Sequence, residues 1–398
     1  MASTLTPLRR PDFRRFWLGS GLSTFGSQLT ELALPLLILD QTHSPVLAGV
    51  VGTARMITYM IVQLPAGVVA DRLDRRALLL FGEVFRGSIV VVIGVALVLG
   101  APLPIVPLAL LMVAGTVMSA VADPTRQAAM RHLVGVDEMP SALALNTMSS
   151  QTMTLIVPLL GGVCYQAWPA LPFLVDAASY AVSFVVLSFV TVSLGTGTRE
   201  RRSILADVGV GLRFVWTSRF LPLYLVWSAL GNFVTAGVIF VLVITVQPSG
   251  GSTLGLVMSV VALGGLAGAA LAPRTAKLPT AWVVSGGIGL RLLAACAMAV
   301  HPTPVVLAVG TTLIILLGPS ILIPYGAHVY TVVPDHLTAR VQSAMVLVGG
   351  SLYPFAALAT GLLMELTSTP VTLLTLAALF AVLLSVSVLP RMRLPNRS

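Results

Sequence analysis

Apolar residues run in long stretches along almost the whole chain, separated by short polar knots. Most stretches hold about twenty residues. At 1.5 Å per helical residue, that length crosses the roughly 30 Å hydrocarbon layer of a bilayer. The pattern predicts twelve helical spans, at about 16–39, 46–69, 77–99, 105–125, 141–165, 171–193, 221–246, 254–273, 280–299, 304–325, 341–363 and 370–390. Proline and glycine mark the joints, as at Ser44-Pro45, Gly100-Ala101-Pro102, Trp168-Pro169, Gln247-Pro248 and His301-Pro302.

Composition agrees with the pattern. Of 398 residues, 57% are hydrophobic and 9% charged, against about 25% charged in a soluble domain. The expected class is an all-α integral membrane protein in direct contact with the lipid bilayer. Arg9, Arg10, Arg14 and Arg15 precede the first apolar stretch in the manner of a signal peptide. That stretch is long, carries Glu31 and lacks a small-residue cleavage site, so it is expected to be a retained first helix.

A net charge of +9 raises the question of a nucleic-acid partner. The placement of the charges answers it. Twenty of the 23 Lys and Arg residues fall in one alternate set of connections, including both termini. The other set holds none, and Arg55, Arg86 and Arg291 lie within spans. By the positive-inside rule both termini are cytoplasmic and the basic connections face anionic inner-leaflet lipid. No nucleic acid is expected, and the location is the cell inner (cytoplasmic) membrane. The one lysine, Lys277, sits between Ala276 and Leu278, so no phosphate-binding Gly-Lys-Ser/Thr loop is present. Cys164 and Cys296 lie in apolar runs as packing residues, and the five histidines lack metal-ligand spacing. No metal, no cofactor and no enzymatic centre is expected.

The chain also repeats itself. Pro158 in span 5 has a counterpart in Pro354 of span 11, and Gly67 has one in Gly268. Val136-Asp137 before span 5 echoes Pro334-Asp335 before span 11. Two parallel repeats of six spans follow: residues 1–193, a linker at 194–220, and residues 221–398. Within the linker, Asp207 to Trp216 mixes apolar and charged residues. That stretch suits an interfacial helix on the inner leaflet or a plain tether, and the two readings are compatible.

The densest charge in the chain lies in Pro65–Leu78, where Asp71, Arg72, Asp74, Arg75 and Arg76 fall within six residues between apolar runs. Such a cluster belongs at a membrane surface. Gly67-x-x-Ala70-Asp71-Arg72-x-x-Arg75-Arg76 resembles the loop between helices 2 and 3 of the major facilitator superfamily (MFS), with Asp74 where that family usually has Gly. Val157-Pro158-Leu159-Leu160-Gly161-Gly162 resembles the antiporter motif of MFS exporters, with Val157 replacing the first Gly. The resemblance covers essentially the whole chain. It implies a twelve-helix MFS bundle of two six-helix pseudo-repeats, of the drug, macrolide and siderophore exporter type, and a gating role for Gly67, Asp71, Arg72, Arg75 and Arg76. In the second repeat Ala272-Pro273-Arg274 stands in place of Ala70-Asp71-Arg72, so that acid is lost.

Charges within spans are costly and mark function or paired structure. Glu31 in span 1 and Arg55 in span 2 fall at matching depths, about 13 Å below the outer surface. They form either a structural ion pair or a proton-coupling pair. Glu83, Arg86, Asp123 and Arg126 are expected to form an inner charge network near the cytoplasmic face, with Arg340 of span 11 as a partner. Pro158, Gly161 and Gly162 would let span 5 bend and approach a neighbour closely. Gln28, Gln63, Asn146, Gln151, Asp176, Asn232 and Arg291 are cavity candidates, with Asp176 expected near the outer mouth. Trp227, Tyr325, Gln342 and Tyr353 could add to a mostly apolar pocket, although most such polar groups serve as interhelical hydrogen bonds. The expected function is proton-coupled export of a small lipophilic drug or metabolite by a monomer working through alternating access. An MFS importer or facilitator, or a non-transporting scaffold or sensor on the same fold, is the alternative.

Overall fold

The computed structural model describes residues 6–101, 103–135, 138–192, 204–218, 220–275, 278–334, 337–389 and 392. Within its helices, the side chains of Asp71, Arg72, Arg340 and Gln342, and position Gly67, lie outside the described residues. The described residues contain no strand. Their helices are α1 (Pro11–Thr42), α2 (Pro45–Arg72), α3 (Arg75–Val98), α4 (Ile105–Leu133), α5 (Met139–Ala167), α6 (Leu171–Ser188), α7 (Ile204–Thr217), α8 (Leu221–Val246), α9 (Gly251–Thr275), α10 (Thr280–Val300), α11 (Pro304–Leu316), α12 (Gly318–Val332), α13 (Thr338–Gly350), α14 (Tyr353–Leu366) and α15 (Thr369–Ser387). Eleven stretches among the described residues are long and apolar enough to span a bilayer. Helix α5 falls short because Asn146 to Thr152 is mostly polar.

The expected spans 10 and 11 are each broken in two, at Leu317 and at Ser351–Leu352. Pro319 and Pro354 sit in the first turns of α12 and α14. Each lacks the N–H that would continue the helix across the joint. Helix α4 runs on to Leu133 through Asp123, Pro124 and Arg126 instead of ending near residue 125. The side chains of Asp123 and Arg126 find partners inside the protein, so this charged stretch need not unwind to reach water.

The chain divides into two compact units. The first comprises Met1–Gln41, Ala54–Arg201 and Gly250–Ser259. Its strongest helix pairings join α3 to α6 and to α4. Phe13, Phe16, Leu79, Ala129, Leu133, Leu145, Leu187 and Val190 form a buried core toward the start of α1. The second comprises Thr42–Thr53, Arg202–Ser249 and Val260–Ser398. There α10 lies along α15, and α8 packs on α14 and α15. Helix α7, within the linker, packs against α13 and α8.

Each unit contains a very close helix approach of the same construction. In the first, a Cβ at Gly162 of α5 would stand 2.1 Å from the Gly251 carbonyl, and one at Gly255 would stand 2.3 Å from the Pro158 carbonyl. In the second, a Cβ at Gly49 of α2 would meet the Ala357 carbonyl at 2.7 Å, and one at Gly361 of α14 would meet the Pro45 carbonyl at 2.8 Å. Backbone lies on backbone in both, which only glycine permits. Ser259 Oγ donates to the Leu155 carbonyl at 2.9 Å, and Thr53 Oγ1 donates to the Pro354 carbonyl at 2.6 Å.

Candidate functional site

The first unit concentrates charge in its interior. Glu83 of α3 has a side chain with no exposed surface. Its Oε1 accepts from Arg86 Nη2 at 3.0 Å, from Arg126 Nη2 at 2.9 Å and from Ser23 Oγ at 3.3 Å. Arg126 reaches Asp123 at 3.6 Å, and Asp123 accepts from the Tyr59 hydroxyl at 2.8 Å. One carboxylate oxygen thus holds two guanidinium groups and the Ser23 hydroxyl of α1, while Glu83 Oε2 is buried without a hydrogen-bond partner and the Tyr59 hydroxyl of α2 serves Asp123. Removing the shared anion would leave two buried cations facing each other, which is far costlier than losing a surface pair.

This network reaches deeper than the sequence suggests. Arg86 is the twelfth residue of α3, about 16 Å along the helix from Arg75. Its guanidinium lies 4.7 Å from the centre of the Tyr180 ring, and the Tyr180 hydroxyl lies 2.8 Å from Ser27 Oγ. Asp176 of α6 is 1% exposed and accepts from Thr30 Oγ1 at 2.6 Å. Asp176, Arg86, Glu31 and Arg55 line one small cavity of about 40 Å³.

Glu31 and Arg55 meet at that cavity, with Glu31 Oε1 3.6 Å from Arg55 Nη2. Arg55 Nε donates to Thr116 Oγ1 at 3.2 Å. The partners are unequally covered: 61% of the Glu31 side chain is open, against 20% for Arg55. Glu31 is therefore the more open partner of the pair, while Glu83, Arg86 and Asp176 in the same unit are buried.

A second cavity in the same unit, about 340 Å³, opens beside the network. Tyr59, Gln63, Asp123, Arg126, Asn146 and Ser150 give it a polar lining, and Phe16, Trp17 and Met153 supply apolar walls. The second unit holds a cavity of about 420 Å³ lined mainly by apolar side chains, with Asn232 and Arg291 among them. Gln28 and Gln151 line none of these three cavities.

The contacts of other expected residues are local. Asp74, the departure from the MFS loop pattern, caps α3 by accepting from the Ala77 N–H at 2.7 Å. Arg75 is buried and meets His132 Nε2 at 2.8 Å. Arg76 donates to the Ser188 carbonyl at the end of α6. Gly67, Asp71, Arg72 and Arg340 fall outside the described side chains. A Cβ at Gly161 would meet Leu32 at 2.8 Å, so α5 presses closely on α1 there. Trp227 donates to the Leu383 carbonyl at 3.0 Å. Tyr325 packs within an aromatic cluster of Phe220, Tyr224 and Trp227. Sequence reasoning passes over Ser23, Thr30, Tyr59, Thr116 and Tyr180 because a lone hydroxyl in an apolar run gives no signal. The Gly251-x-x-x-Gly255 spacing is a legible sign of close packing.

The sequence profile of the transmembrane secretion effector family matches residues 2–398. The multidrug efflux pump Tap of Mycolicibacterium fortuitum is 25% identical over 394 residues, covering 92% of this chain and 93% of that protein. A staphyloferrin A transporter of Staphylococcus aureus is 24% identical over 175 residues, 43% of each chain. Among solved structures, the nucleoside transporter NupG superposes with a TM-score of 0.70 at 14% identity, covering 94% of this chain and 97% of NupG. A bacterial homologue of the iron transporter ferroportin, in an inward-facing state, superposes with a TM-score of 0.68 at 14% identity, over 95% and 99% of the two chains. The similar proteins are transporters, not enzymes, and the structural likeness assigns the all-helical transporter fold. With its family profile matched along nearly its whole length, the chain belongs to the transmembrane secretion effector family of the major facilitator superfamily.

Proposed function

We propose that this multi-pass transporter exports a small lipophilic molecule in exchange for protons, working as a monomer in the inner membrane with both termini in the cytoplasm. The observation that carries the reading is the Glu31–Arg55 pair, in which an open carboxylate faces a mostly covered guanidinium across 3.6 Å. Proton exchange needs a carboxylate that water can reach. Coupling needs that carboxylate's charge to matter to a second group. Ionised Glu31 holds the Nη2 end of Arg55 while Thr116 accepts from its Nε; protonated Glu31 frees that end toward the small cavity Arg55 shares with Asp176. The pair thus gives two charge arrangements that a proton selects between, and each favours one conformation of the transporter.

Export, as opposed to uptake, is supported by the whole-length similarity to a protein named as a multidrug efflux pump. The lipophilic character of the cargo is supported by the mostly apolar lining of the larger cavity of the second unit. In this proposal the connection from Gly67 to Arg76 gates the cytoplasmic side, and transport proceeds by alternating access.

The test is transport in proteoliposomes with an imposed pH gradient and a panel of cationic, neutral and anionic lipophilic dyes. The wild-type protein is expected to accumulate at least one dye against its gradient and to stop when a protonophore is added. Glu31→Gln is expected to lose gradient-driven accumulation while keeping downhill exchange. Full gradient-driven transport by Glu31→Gln would remove Glu31 from the coupling mechanism.

A further inference from the structure

The larger cavity of the second unit contains an unanswered charge. Arg291 of α10 is 9% exposed, and its Nε has no hydrogen-bond partner. No ion pair among the described residues includes it. A guanidinium does not shed its proton inside a protein, so the charge stays. The sequence from residue 204 onward holds three acids, Asp207, Asp335 and Glu365. Asp207 belongs to the linker and Asp335 to the connection before α13. Glu365 lies at the end of α14, where it accepts from Ser44. None lies within the body of a span.

The cavity around Arg291 is formed as a pocket. Ile288, Ile321 and Phe380 make apolar walls for a volume of about 420 Å³. Two neighbouring donors already have partners: Trp227 Nε1 gives to the Leu383 carbonyl, and Asn232 Nδ2 gives one N–H to the Gly349 carbonyl; the Ser228 and Thr235 hydroxyls also line the cavity. Gly318 keeps space beside the guanidinium, since a Cβ there would stand 3.1 Å from Arg291 Nη2.

We infer that this cavity binds a lipophilic organic carboxylate, with its carboxylate on Arg291 and its apolar body between α8, α10, α12 and α15. One guanidinium offers a planar fork that fits a carboxylate. A singly charged ligand cancels the buried charge; a phosphate monoester would leave excess negative charge in apolar surroundings, and a cationic ligand would add to the positive charge. A lipid phosphodiester carries the same single charge, so the experiment must separate the two sources. The inference concerns binding alone and stands or falls apart from proton coupling at Glu31.

The test is calorimetric titration of the purified full-length protein in a neutral detergent, against micelle blanks. Three probes of one shape serve: 1-naphthaleneacetate, 1-naphthaleneethanol and 1-naphthaleneethylamine. The wild-type protein is expected to bind the acid at least tenfold more tightly than the alcohol, and the ammonium most weakly. Arg291→Gln should remove the preference for the acid, and Arg291→Lys should keep part of it. Equal affinity for acid and alcohol in the wild-type protein, or no binding of the acid, overturns the inference without any variant. So does a folded Arg291→Gln protein that keeps the preference. Phosphatidylglycerol added to the micelles is expected to leave acid binding unchanged; if it displaces the acid at equimolar amounts, the site belongs to lipid and the carboxylate assignment fails.

Discussion

Helices α3 and α10 occupy corresponding places in the two units, and each carries an arginine as its twelfth residue, Arg86 and Arg291. Their surroundings have diverged. Three residues before Arg86 stands Glu83, which pairs with it; three residues before Arg291 stands Ile288, which lines a cavity. The partner helices differ in the same sense: α6 has Asp176 as its sixth residue, and α15 has Leu374 in that place. One unit thus answers its buried arginine from within the protein. The other leaves its arginine for something that arrives. A buried charge in a bilayer protein is either compensated internally or kept for a ligand, and this chain does both in copies of one helix.

The most severe way to break this comparison is Glu83→Gln. It would strand Arg86 and Arg126 without their shared anion, and a loss of about 3–5 kcal/mol of stability is expected. Thermal unfolding in detergent measures it; an unchanged transition would mean that the network is not what holds the first unit together. The converse change, Ile288→Glu, gives α10 the acid that α3 has. It should satisfy Arg291 internally and weaken binding of 1-naphthaleneacetate at least tenfold, about 1.4 kcal/mol, by the same titration. Undiminished binding would separate Arg291 from the ligand. The smallest effect concerns how the two helices begin. Asp74 caps α3 through its side chain, whereas α10 starts after Pro279 with no side-chain cap. Asp74→Gly, which restores the residue usual in the family, should cost only a few tenths of a kcal/mol, and Asp74→Ala about 1 kcal/mol. A larger loss on Asp74→Gly would give this aspartate work beyond capping.

Much of the architecture was legible because a bilayer imposes simple rules. A span must be apolar, about twenty residues long and internally hydrogen-bonded, so the stretches that became α1 to α4, α6, α8 to α10 and α15 stood out in the sequence. The breaks at Leu317 and Ser351–Leu352 did not, because hydropathy is blind to a proline that interrupts an apolar run. The end of α4 was placed too early because Asp123 and Arg126 look like loop residues until their partners are known. Glu31 and Arg55 could be matched by counting residues from the ends of adjacent antiparallel helices. The reach of Ser23 to Glu83, or of Thr30 to Asp176, could not, since each joins helices distant in sequence.

By itself the sequence determined the helical class, the spans, the repeat and the rarity of charge within the membrane, because hydrophobic burial and charge desolvation act residue by residue. Only the tertiary structure decided which charges are spent on one another. Pairing depends on distances between helices far apart in the chain, and those distances set Glu83 between two arginines, left Glu31 open beside Arg55 and gave Arg291 no partner of its own among the described residues.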